Sequence, residues 1–145
     1  MGLRTWVEEA PASRSILLGA AAGAWMYFVP YGLPVTIMVA TAMHSVYFSF
    51  AFICDETPAM LQETFVLGAL CYFYFVVCLG RVDEKPLYAP LAIFVHGIMD
   101  WIHHFRLAPV TSNHVKTCCE HYPIICGCFD VAFAAVMSLL IAIFG

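Results

Sequence analysis

Five apolar runs of roughly 15–22 residues divide this chain, each long enough to cross, or nearly cross, the ~30 Å hydrocarbon core of a bilayer. They lie at 15–29, 33–54, 59–80, 87–105 and 123–144, and the breaks between them carry proline, glycine and charge. Composition points the same way. Of 145 residues, 63% are hydrophobic and 11% charged, with a mean hydropathy of +0.86, whereas a soluble domain is about 25% charged. A soluble fold this small has too much surface for its volume to hide so many apolar side chains. The expected class is all-α: a polytopic membrane helix bundle of about five transmembrane segments, forming one integral membrane domain with the lipid bilayer as its surroundings. The net charge of −4 supplies no basic patch, so nucleic acid is not an expected partner.

The breaks follow ordinary turn chemistry. Pro30-Tyr31-Gly32-Leu33-Pro34 reads as a tight turn, with Pro34 in a helical first turn. Asp55-Glu56-Thr57-Pro58 ends the second run, and Thr57 and Pro58 suit the start of the third. Pro90 falls in the first turn of the fourth. The first run, Ser15–Val29, spans only about 22 Å as a helix. It lacks a small-x-small cleavage site before a polar stretch, so it reads as a retained segment. Its Gly19-Ala20-Ala21-Ala22-Gly23 stripe invites close approach by another helix. Trp6, Tyr31, Tyr88 and Tyr122 stand at segment ends, where interfacial belts form. Arg4, Arg14, Arg106 and Lys116 on one side outnumber Arg81 and Lys85 on the other, which favours a cytoplasmic-type compartment for the N-terminal side. Of seven cysteines, Cys54, Cys71 and Cys78 sit in apolar runs, and Cys118, Cys119, Cys126 and Cys128 cluster in and after one loop. No pair has CxxC spacing, so a zinc-finger reading is weak, and the odd count leaves one thiol unpaired within the chain.

The fourth run departs from plain apolarity. Val95–Phe105 places His96, Asp100, His103 and His104 at i, i+4, i+7 and i+8, within roughly 100° of one helical face. A helix in an apolar chain has no structural need for three imidazoles and a carboxylate on one stripe. Alternating spans bring other polar groups to the same depth. Glu63 lies near the start of the third segment, Asp130 about two turns into the fifth, and His44 about ten residues from the end of the second. All face the leaflet in which the fourth segment ends. Seven ionisable groups scattered at random would not share one half of a bilayer.

Ionisable groups in a membrane are costly and persist where they face the bundle interior and pair or bind something. Imidazoles and carboxylates from several helices form the ligand sets of bundle metal sites. His96, Asp100, His103, His104, Glu63 and Asp130 are therefore the candidate metal ligands, with zinc or iron as the candidate ion. Asp100 and Glu63 are the candidate catalytic carboxylates of a hydrolytic or oxidative site acting on a lipid-like substrate. Asp100 can equally act behind the ligands, fixing an imidazole tautomer. One of His103 and His104 is expected merely to meet headgroups. His44, alone on its helix, reads first as a satisfied core histidine, and His114 and His121 as solvated loop residues. A second class of function is an accessory subunit of a larger membrane complex, such as a respiratory one, with His44 and His96 as a haem-binding pair. A third is a scaffold whose polar cluster is an ion-pair network. A small proton or ion carrier is a fourth, without the internal repeat that secondary transporters carry.

The motifs His96-Gly97-x-x-Asp100-x-x-His103 and Pro123-x-x-Cys126-x-x-Phe129-Asp130-Val131, with Glu63 ahead of them, resemble a family of small, mostly bacterial multi-span membrane proteins of unknown function. The resemblance covers Ala59 to the C-terminal end and departs from the pattern at the 106–122 loop with its Cys118-Cys119 pair. It implies a shared site of Glu63, His96, Asp100, His103 and Asp130 and names no reaction.

Overall fold

The computed structural model describes residues 11–53, 57–105 and 122–145, and among these the chain forms helices and no strands. Helix α1 is Pro11–Phe28, α2 is Gly32–Ile53, and α3 begins as Thr57–Tyr72. The third helix then widens into a π-helical stretch, Phe73–Cys78, and tightens into a 3₁₀ turn, Leu79–Arg81. Helix α4 is Tyr88–His104 and α5 is Tyr122–Phe144. Each falls on one of the five apolar runs, with ends shifted by a few residues. Between α1 and α2 the chain reverses through Tyr31, which takes left-handed backbone with φ 61°.

Three of the five are long and apolar enough to cross a membrane: α2, α3 with its continuation to Arg81, and α5. Helix α1, with 18 residues and Arg14 near its start, and α4, with 17, are shorter or less apolar. Helix α4 falls short by length, and it also carries polar side chains into the bundle. His96, Asp100 and His103 all point inward and are buried. The surface is apolar as well: Leu17, Trp25, Phe28, Phe52, Phe65, Phe75, Leu139 and Ile143 all stand exposed, Phe65 at 79%. Large aromatic and aliphatic side chains presented outward on every helix suit contact with lipid.

Helix α5 runs between α1 and α4, and α2 and α3 complete the bundle against α4. The Gly19-to-Gly23 stripe finds its partner on α5. A Cβ added at Gly19 would run into the Phe129 carbonyl oxygen, and one at Gly23 would lie 2.5 Å from that of Phe133. Only a hydrogen in place of a side chain lets the two backbones come this close. One half of the bundle interior is mainly apolar, built on Ile37, Ala40, Ala89, Ile93, Phe133 and Met137, with Tyr74 and Cys78 from the π-helical stretch. The other half holds the buried polar residues.

Candidate functional site

A second pair of glycines brings α4 and α5 together at the polar half. A Cβ at Gly97 would stand 3.0 Å from the Asp130 Cβ. One at Gly127 would stand 2.5 Å from the Trp101 ring and 3.3 Å from the Asp100 Cβ. His96 and Asp100 are one turn apart on α4, with Gly97 between them, so closing this seam sets both against Asp130.

The three side chains are fully buried, at 0% exposure. His96 Nδ1–H donates to Asp130 Oδ2 at 2.6 Å, and the same nitrogen lies 3.5 Å from Asp100 Oδ2. One donor atom from each residue falls within 4.8 Å of the other two. Several lone pairs in this group have no hydrogen-bond partner among the described residues: His96 Nε2, Asp100 Oδ2 and Asp130 Oδ1. A group of this composition can hold a metal ion.

A second polar pair lies nearer the end of the bundle. His103 Nδ1–H donates to the Met99 carbonyl at 2.7 Å, one turn back on its own helix. Its Nε2 meets Glu63 Oε1 at 3.0 Å. Because Nδ1 already carries a proton, the contact with Glu63 needs one more, shared between Nε2 and the carboxyl group. Tyr47 of α2 links the pair to the triad. Its ring stacks on His103 with centroids 3.7 Å apart, and its hydroxyl donates to Asp100 Oδ1 at 2.6 Å. Cys126, one turn before Asp130, lies beside Asp100 and Tyr122.

Six of the seven ionisable groups singled out in the sequence meet one another in the bundle. Glu63 meets His103, His96 meets Asp130 and Asp100, and His44 stands edge-on to His96 with ring centroids 5.9 Å apart. The seventh, His104, is half-buried beside Phe105 and does not join the converging donors. His44 corrects the sequence reading. It is a core histidine, 1% exposed, but neither ring nitrogen has a hydrogen-bond partner among the described residues, so it is not a satisfied one. Sequence reasoning passed over Tyr47 and Cys126 as site residues. Tyr47 lies three residues after His44, on the same face of α2, and that spacing is the signal that could have found it. Cys71, Cys78, Cys126 and Cys128 are free thiols. Trp6, Cys54, Cys118, Cys119, His114 and His121 lie outside the described residues.

No family model, no curated protein and no solved structure matches this chain.

Proposed function

We propose that this chain is a five-span membrane protein that holds one divalent transition-metal ion between α4 and α5, with His96, Asp100 and Asp130 as its ligands. The observation that carries this reading is the convergence of one imidazole and two carboxylates, all fully buried, with donor atoms within 4.8 Å of one another. Two carboxylates enclosed away from water are costly, and a divalent cation cancels both charges at once. One nitrogen and two oxygen donors suit zinc, iron or manganese better than the soft metals that prefer thiolates. His96 Nδ1 faces both carboxylates. An ion there takes the place of the Nδ1 proton. The other ring nitrogen, Nε2, is buried and has no hydrogen-bond partner among the described residues. The Tyr47 hydroxyl holds Asp100 by Oδ1 and leaves Oδ2 to ligate.

Full burial of the three ligands supports an ion held in place over one open to a lipid-like substrate, so Asp100 reads as a ligand ahead of a general base. Haem ligation by His44 and His96 asks for a macrocycle between α2 and α4, whereas these helices pack directly and the two rings meet edge-on. With α1 and α4 as the shorter spans, the bilayer thins locally around them.

The test is elemental mass spectrometry on detergent-purified protein, wild type beside His96→Ala and Asp130→Asn. The expected result is about one equivalent of zinc, iron or manganese in the wild type, lost from both variants while they remain folded. A folded wild type that contains none of these, and takes up none when they are added, overturns the proposal.

A further inference from the structure

The metal centre leaves three buried donor residues unused: Glu63, His103 and His44. They lie in sequence of depth. Glu63 is six residues, about 9 Å, into α3, and His103 is the penultimate residue of α4, so their pair sits near one end of the bundle. His96 lies seven residues, about 10 Å, further along α4. Tyr47 joins His44 to that pair: its ring centroid lies 6.0 Å from that of His44 and 3.7 Å from that of His103, which meets Glu63. The His44 ring meets the His96 ring edge-on.

His44 is also the side chain whose state is hardest to explain as structure. Buried polar groups are nearly always hydrogen-bonded, yet neither of its nitrogens has a partner among the described residues. Glu63 Oε2 is likewise without one, at 1% exposure of the residue. A neutral imidazole has one lone pair, and a tautomer shift presents it from either nitrogen. With no hydrogen bond to break, that lone pair is available to a cation arriving from either side. Among the described residues only His96, Asp100 and Asp130 bring three donors within 4.8 Å. Glu63, His103 and His44 therefore do not make a second resting site.

We propose that Glu63 and His44 form the route by which a divalent metal ion reaches the centre. The ion is taken first by the free carboxylate oxygen of Glu63 near the bundle end. It passes to His44, and then to His96, Asp100 and Asp130. Each step exchanges one lone-pair donor for another; His44 passes the ion on by moving its ring proton from one nitrogen to the other, and at the centre the His96 proton moves from Nδ1 to Nε2 as Nδ1 takes the ion. This rests on the metal centre proposed above and assigns its loading path.

The test uses Co²⁺ as the probe, added to the chelator-stripped full chain in detergent, with uptake followed by the visible absorption of bound Co²⁺. Glu63→Gln and His44→Leu are compared with wild type, and His44→Gln serves as a second variant should leucine disturb folding. The expected result is the same final amount of bound Co²⁺ in all, with uptake about tenfold slower in each variant. Release to a chelator slows by the same factor, since the path is the same in both directions. Wild-type rates in the Glu63 and His44 variants overturn the route and leave the centre standing. Loss of bound Co²⁺ in the His44 variants makes His44 a resident ligand and also overturns the route. A wild type that binds no Co²⁺ overturns the centre and the route together.

Discussion

Helix α5 has two close neighbours and treats them differently. Against α1, the seam is opened by Gly19 and Gly23 and meets the carbonyl oxygens of Phe129 and Phe133. Against α4, it is opened by Gly97 and Gly127 and contains Asp130, His96 and Asp100. The device is the same, since a missing side chain lets two backbones approach, but the result is not. The first seam joins backbone to backbone and has nothing in it to ionise. The second uses the space the glycines clear to enclose charged side chains. Small residues in a membrane helix thus do not announce a purpose by themselves. What fills the cleared space decides whether the seam holds the fold together or builds a site.

This contrast can be broken by experiment. The largest effect is expected from Gly19→Ala combined with Gly23→Ala. Each new Cβ meets backbone, which cannot swing aside as a side chain does. Overpacking costs about 1–3 kcal/mol per site where neighbours can adjust, and more is expected here. The double variant should lose most of its folded yield in fluorescence-detected size exclusion, while whatever folds still binds metal. If it lost metal and kept its fold, the α1 seam would belong to the site.

Asp130→Ala comes next and should act in the opposite sense. At a Zn²⁺ concentration about a hundred times the dissociation constant, a bound ion stabilises the wild type by ~2.7 kcal/mol. The thermal midpoint of the wild type should therefore rise with added Zn²⁺, and that of Asp130→Ala should not. Gly127→Ala is intermediate. Its Cβ meets the Trp101 ring and the Asp100 side chain, both able to yield. A modest loss of stability, about 1 kcal/mol, should accompany a clear fall in metal affinity by titration calorimetry. Tyr47→Phe keeps the stacked ring and removes only the hydroxyl that holds Asp100. A fall of roughly tenfold in affinity is expected, as for other partners that orient a ligand. His104→Ala should change neither quantity, and a measurable loss of metal would bring that residue back into the site.

Much of this arrangement is legible in the amino-acid sequence. The helices follow from runs of apolar residues bounded by proline, glycine and charge. Helices that alternate in direction bring Glu63 level with His103, and His96 level with Asp130. Rotation is what a single sequence does not supply. His103 and His104 differ by about 100° around α4. Which of the two faces inward is decided by where α3 presents Glu63. The same holds for Tyr47, whose value lies in reaching Asp100 and His103 together. The π-helical stretch at Phe73–Cys78 is equally hidden. It has no composition of its own and places Tyr74 and Cys78 in the interior through a change of pitch.

The contact of α1 with α5 also says something about order of assembly. These helices stand first and last among the described residues, yet their backbones touch. A chain emerges from the ribosome N-terminal end first. The glycine stripe of α1 therefore waits, without its partner, until α5 has been made. Asp130 arrives on α5 as well, so α4 offers His96 and Asp100 before the third member of the cluster exists. Closure of the bundle and completion of the His96–Asp100–Asp130 cluster are one late event. A nascent chain stalled ahead of α5 would hold neither.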